Sequence, residues 1–324
     1  MSLNKPRLLN IEPLNYSPKA KKILGEFAVV HEKALARRGL EKEIGKYEIL
    51  ITRLGHHIHA GLLGRAKRLK VIGTATTGLD HIDLVAASEL GIKVISLRGE
   101  YEFLEGITAT AEHAFALALA LCRKIPFAMN SVMQGKWNRD EFRGVQMKGK
   151  TLGILGYGRL GRMMARYGKE FGMRIIASDR RPTKDGTKRV PLARLLKESD
   201  ILTVHLPFNE ETRGMLGRKE LFSMKKGACL INTSRGGVLD EKALLQALER
   251  GHLGGAALDV ISGELSPEGV SGHPLVKYAS RHSNLIITPH IGGATADSME
   301  ETEIFIAKKL REYFSQGQKT GRDK

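Results

Sequence analysis

Cysteine is nearly absent: Cys122 and Cys229 are the only two among 324 residues. That scarcity excludes a disulfide framework and favours a reducing, intracellular setting. Long hydrophobic runs are missing as well. The most apolar segment, Ala114 to Cys122, has nine residues, whereas a bilayer span needs about 20. A soluble, cytoplasmic protein is therefore expected. The start, MSLNKPRLLN, has no apolar run before a small-residue cleavage site, so no signal peptide is expected. Dense basic blocks, zinc-finger spacings and aromatic-rich RNA-reading signatures are also lacking. Yet 52 Lys and Arg stand against 35 Asp and Glu, a net charge of +17. Such a surplus attracts anions. With only short clusters such as Lys67-Arg68, Arg180-Arg181 and Lys225-Lys226, a dinucleotide or a carboxylate is favoured over nucleic acid. His56-His57-Ile58-His59 has no cysteine or acidic residue close by, and reads as a surface loop rather than a metal site.

What is present is a core-forming composition, with 42% hydrophobic and 27% charged residues. Both are near ordinary globular values, and the length suggests two domains. Short apolar strands alternate with helical stretches. Strands are predicted at Tyr47–Thr52, Lys70–Gly73 and Lys93–Ser96, and helices at Leu62–Leu69 and Ile82–Leu90. The pattern lapses around Arg98–Gly106, which reads as a hinge. Thr108–Lys124 reads as one long helix, apolar over most of its circumference and so buried between layers or subunits. A second series starts at Lys150. Strands are predicted at Leu152–Leu155, Arg174–Ser178, Ile201–His205, Ala228–Asn232, Gly255–Val260 and Leu285–Thr288, with helices at Leu160–Phe171 and Glu241–Glu249. Ala296–Phe314 reads as an amphipathic helix with a frayed tail after it. The βαβ rhythm implies an α/β fold with parallel sheets.

Gly156-Tyr157-Gly158-Arg159-Leu160-Gly161 fits G-x-G-x-x-G. It follows a strand, opens a helix, and precedes Asp179 by 18 positions counted from Gly161, which is the context that gives the motif meaning. Gly156 suits a tight turn, Gly158 lets backbone approach a pyrophosphate, and Gly161 lets helix and strand pack closely. The helix N-terminus offers N–H groups to phosphates. Asp179 suits the adenosine ribose hydroxyls and repels a 2′-phosphate, so NAD is favoured over NADP. Arg180 and Arg181 could pair with such a phosphate, which keeps NADP as the alternative.

Three further stretches make the sequence resemble the D-isomer-specific 2-hydroxyacid dehydrogenases. They are Asn232-Thr233-Ser234-Arg235-Gly236-Gly237, Ala257-Leu258-Asp259-Val260 with Glu264 beyond it, and Thr288-Pro289-His290-Ile291-Gly292-Gly293. In the first part of the chain, Leu69–Gly73 and Gly78–Asp83 extend the likeness. The resemblance places Arg235, Glu264 and His290 where the family keeps its catalytic Arg, Glu and His. Chemistry agrees. Reduction of a 2-keto acid needs a cation for the carboxylate, a proton donor to the carbonyl oxygen and a hydride source. An arginine fork, an imidazole with a carboxylate partner and a nicotinamide supply these. The segment after Glu264 departs from the family, with Leu265 in place of the usual Pro and Glu268 nearby.

The resemblance further implies that Arg159 and Leu160 present backbone to the pyrophosphate. It implies that His205, Leu206 and Pro207 pass the adenine and its ribose. Thr233, Ser234, Asp259, Gly292 and Gly293 are assigned to the cofactor, and the loop Thr76, Thr77 and Gly78 to the substrate carboxylate, as is Arg235. It implies two Rossmann-like domains with the active site in the cleft between them. The substrate domain takes residues 1–104 and 295–324, and the NAD-binding domain residues 105–294. Substrate binding would then draw the domains together. A homodimer through the cofactor domains, with Thr108–Lys124 as its contributor, is also implied. Thr74 stands where many D-3-phosphoglycerate dehydrogenases carry a phosphate-binding Arg, which weakens that substrate. D-lactate, glyoxylate, hydroxypyruvate and 4-phosphoerythronate remain open. The rival reading is an NAD-sensing corepressor-like protein of the same fold that binds peptides. Cys122, Cys229 and Trp137 read as packing residues.

Overall fold

The computed structural model describes residues 5–183, 185–266 and 269–319. Two compact units divide the chain: Met1–Gly106 with Thr295–Lys324, and Ile107–Ala294.

In the first unit, five strands form a parallel sheet: β1 (Arg7–Asn10), β2 (Val29–Glu32), β3 (Ile49–Thr52), β4 (Val71–Thr74) and β5 (Lys93–Ile95). Their order is β2-β1-β3-β4-β5. One face is filled by Leu9, Leu50 and Ile72 together with Leu40, Ile58 and Ile82. The C-terminal helix Ala296–Lys319 returns to this unit, where Phe305 stacks on Phe103 and Glu303 accepts the Ser17 N–H at 2.6 Å.

The second unit holds seven parallel strands: β6 (Thr151–Leu155), β7 (Arg174–Ser178), β8 (Lys188–Arg189), β9 (Ile201–Val204), β10 (Cys229–Asn232), β11 (Gly255–Leu258) and β12 (Leu285–Ile287). The order is β12-β11-β10-β9-β6-β7-β8. It reverses direction between β6 and β9, and open α/β sheets bind ligands outside the carboxyl ends of strands at such a point. Alternate residues serve opposite faces. Leu230 and Leu258 point into one core cluster, Ile231 and Ala257 into the other. Strands buried on both sides read as continuous apolar runs, which is why these segments stood out in the sequence.

Several sequence expectations change. The predicted hinge at Arg98–Gly106 contains a short helix, Tyr101–Glu105, with Leu104 buried. Five residues give too little periodicity to reveal a helix. The helix expected over Leu62–Leu69 is Ala60–Leu63, capped by Gly64 and continued as turns. At its other end the His59 ring accepts the Leu62 N–H at 3.3 Å, so this histidine caps a helix. The last helix runs on to Lys319, past the predicted end at Phe314. The rest of the expected frayed tail, and Glu268, lie outside the described residues. The apolar helix Ala109–Cys122 buries Ala114, Leu117, Ala118 and Leu121 within its own unit. The following helix, Ile125–Met133, and the stretch beyond it expose Ile125, Met129, Val132, Met133 and Trp137. Among the described residues no single helix is long and apolar enough to cross a membrane.

Candidate active site and dinucleotide cradle

Because every strand of the second unit is parallel, all its carboxyl ends lie along one edge. The residues singled out from the sequence follow directly on those ends: Gly156 after β6, Asp179 after β7, His205 after β9, Thr233 after β10, Asp259 after β11 and Thr288 after β12.

The glycine turn is built for close approach. Gly156 has φ of 92°, and a Cβ there would stand 2.5 Å from the His205 carbonyl oxygen. A Cβ on Gly161 would be driven into the Gly156 carbonyl. Around Gly158 there is open space, and it begins the helix Arg159–Glu170 without a side-chain cap. Uncapped N–H groups at such a terminus suit an anion. The Arg159 side chain turns away to the Ile107 carbonyl, consistent with a backbone role for this residue. Asp179 sits beside the turn. One carboxylate oxygen accepts the Tyr157 N–H at 2.7 Å, the other the Arg181 N–H at 2.8 Å. Arg180 pairs with Glu211, while Arg189 donates to the Asp179 carbonyl.

Among the described residues, two polar atoms on this edge have no partner. The Thr233 hydroxyl is buried and unbonded, and so is Nδ1 of His205, whose Nε2 meets the Thr203 hydroxyl at 2.8 Å. Burial lowers the His205 pKa to about 4, so its ring is neutral near pH 7. The unfolded chain carries an ordinary imidazole near 6.5, and protons therefore favour unfolding as the pH falls from about 6.5 to about 4. The full loss is roughly 3 kcal/mol. We expect His205→Asn to flatten that acid limb of stability, read as urea midpoints at successive pH values. An unchanged limb would assign it to other groups. Leu206 packs against the core, and Pro207 turns its carbonyl to the Thr212 hydroxyl at 2.7 Å.

The loops after β10, β11 and β12 are zipped together by their backbones. Asp259 N–H donates to Asn232, Thr288 N–H to Leu258 and His290 N–H to Asp259, each at 2.9 Å. Asn232 shapes the first loop: its Oδ1 accepts from the Ser234 N–H and hydroxyl, and its Nδ2 donates to the Arg235 carbonyl. Ser234 therefore spends its hydroxyl inside the loop, and its carbonyl accepts from Arg235 Nη1 at 2.8 Å. Arg235 is partly exposed. His290 adopts φ of 55°, and its Nδ1 lies 2.6 Å from Glu264 Oε1. The carboxylate engages Nδ1 and leaves Nε2 outside this bond. Glu264 Oε2 in turn accepts the Ile261 N–H at 3.4 Å. The structure thus joins Glu264 to His290 directly and sets Arg235 on the adjoining loop.

Asp259 is committed to the turn. It is buried, and its oxygens accept from Thr288 Oγ1 (2.6 Å), His113 Nε2 (3.1 Å), Ile291 N–H (2.9 Å) and Gly292 N–H (2.7 Å). Burial alone would raise its pKa, but these donors outweigh it and hold the carboxyl below its ordinary value. Gly292 is accordingly buried and bonded, whereas Gly293 is exposed. His113 escaped the sequence reading. It lies inside an apolar helical run, yet its Nε2 also meets the Thr288 hydroxyl at 3.0 Å. Among the described residues no cluster of His, Cys, Asp and Glu could hold a metal ion.

In the first unit, Thr76, Thr77 and Gly78 follow the carboxyl end of β4. Thr76 Oγ1 donates to the Gly78 carbonyl at 2.9 Å and meets Thr74 Oγ1 at 3.1 Å. Those bonds hold a tight loop.

Comparison with known proteins agrees with this geometry. Residues 115–292 match the family model described as D-isomer specific 2-hydroxyacid dehydrogenase, NAD binding domain. Over 85% of its length the chain is 38% identical to a D-3-phosphoglycerate dehydrogenase of Archaeoglobus fulgidus, of which it spans 51%. It is 39% identical to a glyoxylate reductase of Thermococcus litoralis, covering 86% of this chain and 84% of that one. The fold is similar to the D-lactate dehydrogenase of Aquifex aeolicus solved with NAD and lactic acid, with TM-score 0.84, 30% identity and 96% of each chain covered. The chain spans about half the length of the curated D-3-phosphoglycerate dehydrogenases that it matches.

Proposed function

Because this chain belongs to the D-isomer specific 2-hydroxyacid dehydrogenase family, we propose that it interconverts a small 2-keto acid and its D-2-hydroxy acid with NAD(H). The observation that carries the reading is the Glu264–His290 pair at 2.6 Å, one loop away from Arg235, on the strand edge that also bears the glycine cradle. The residues fit a dinucleotide: the cradle admits backbone but no Cβ at Gly156 and Gly161, and Thr233 keeps a buried hydroxyl unpaired. NAD(H), when bound, supplies or accepts the hydride.

The chain's own residues do the rest. Gly158, Arg159 and Leu160 offer backbone to the pyrophosphate, Asp179 takes the ribose hydroxyls, and His205, Leu206 and Pro207 flank the adenosine end. Thr233, Ser234, Asp259, Gly292 and Gly293 shape the nicotinamide end; Asp259 acts there chiefly by holding the His290 turn. The Arg235 guanidinium grips the substrate carboxylate and polarises the keto oxygen. His290 gives the proton from Nε2 to that oxygen in reduction and takes it back in oxidation. Glu264, bonded at Nδ1, keeps the imidazole in the tautomer and orientation that this transfer needs. The loop Thr76–Gly78 offers N–H groups to the carboxylate.

Asp179→Ala should weaken NAD binding more than NADP binding, measured as the ratio of the two dissociation constants. An unchanged ratio would remove Asp179 from this role. Thr74, bonded to Thr76 at 3.1 Å, offers no charge for a phosphate, which favours an unphosphorylated keto acid. A cytoplasmic homodimer completes the proposal, with the exposed apolar residues of Ile125–Met133 and Trp137 as its contact face. The deciding experiment is a panel of 2-keto acids followed by NADH absorbance. Turnover of one or more names the substrate. No turnover, with NADH-sensitive binding of a peptide instead, would replace the enzyme by a sensor.

A further inference from the structure

The only two cysteines of the chain meet in the fold. Cys122 ends the helix Ala109–Cys122, and Cys229 begins β10. The two side chains interact, and both are free thiols, Cys122 buried and Cys229 half-buried. They line one cavity of about 170 Å³ together with Lys150, Asp200, Lys225 and Lys226. This cavity lies at the amino ends of β6, β9 and β10, the opposite edge of the sheet from Arg235 and His290. Lys225 pairs with Asp200 at 2.9 Å. Lys150 and Lys226 add positive charge at the same opening.

We propose that Cys122 and Cys229 form an oxidisable dithiol, which a hydroperoxide entering this cavity converts into an intrachain disulfide. The interaction with Cys229 holds the Cys122 thiol below its ordinary pKa against the opposing effect of burial. Cys229 is shifted upward, first by that same interaction and then by burial. Both thiols line the same cavity, so either can open the reaction and the other resolve it; the course with Cys122 first stands for both. In the first step the Cys122 sulfur attacks one peroxide oxygen and the O–O bond breaks. The departing hydroxide takes the thiol proton and leaves as water, with Cys122 oxidised to a sulfenic acid. In the second step the Cys229 sulfur attacks Cys122 sulfur, and the sulfenic hydroxide leaves as water with the Cys229 proton. Two thiols have then lost two electrons to one peroxide. The bridge forms when the two sulfurs at this cavity close to the bond length of about 2 Å.

The test uses the full chain treated with hydrogen peroxide, then thiol titration and peptide mass spectrometry. Both thiols should disappear together, the intact mass should fall by two hydrogens, and the peptides bearing Cys122 and Cys229 should be linked until dithiothreitol is added. Cys229→Ser should stop at a sulfenic acid on Cys122, trapped by dimedone. Cys122→Ser should likewise stop at a sulfenic acid on Cys229, with no intrachain link. Thiols that survive the peroxide, thiols that oxidise without linking, or a link between two chains would each overturn the proposal.

Discussion

Arg235→Ala is expected to lower kcat/KM for the keto acid by about a thousandfold, roughly 4 kcal/mol of transition-state stabilisation, while NADH still binds. The reason lies in what the guanidinium does. In the proposed reaction it would meet the substrate carboxylate with two parallel donors, and its charge would answer the negative charge that gathers on the keto oxygen as the hydride arrives. Arg235 sits one residue past Ser234, on a loop that Asn232 has already shaped through three hydrogen bonds. Removing the side chain therefore leaves the loop standing. Arg235→Lys should recover only part of the loss, because an ammonium is a point charge without the planar fork. NADH fluorescence titration separates the cofactor from the substrate effect. Normal turnover by Arg235→Ala, with an unchanged KM, would move the carboxylate site elsewhere.

His290→Ala is expected to slow turnover by about a hundred- to ten-thousandfold, the usual worth of a positioned acid–base group. It should also remove the limb of the pH–rate profile that belongs to proton donation. The ring is held at Nδ1 by Glu264 at 2.6 Å, so Glu264→Gln should reduce kcat less than His290→Ala while keeping a pH-dependent rate. A pH profile for His290→Ala that matches the wild type would show another group moving the proton.

Much of the second unit was legible in the sequence because doubly buried strands are short apolar runs and each is followed at once by its chemical residue. Gly156, Asp179, Arg235 and His290 could be placed on strand ends before any coordinates. The pairing of Glu264 with His290 could be anticipated only through the family resemblance, since 26 residues separate them. His113 could not be found. Its helix is mostly alanines and leucines, so periodicity marks the helix and says nothing of a polar atom aimed at Asp259. The meeting of Cys122 with Cys229 was equally invisible, because it depends on how one helix end lies against one strand start. Short elements were lost for a different reason. Tyr101–Glu105 spans little more than one turn, too brief for a 3.6-residue repeat to emerge.

The left-handed backbone of His290 carries a consequence for how this protein could change. A residue with a Cβ in that conformation forgoes about 1 kcal/mol that glycine would keep, and the Asp259 bonds to Ile291 and Gly292 are what make the posture tolerable. Selection for thermal robustness alone would thus drift toward glycine or asparagine here and remove the imidazole proposed to donate the proton. With histidine here, this bend yields some durability to the proton transfer proposed for it.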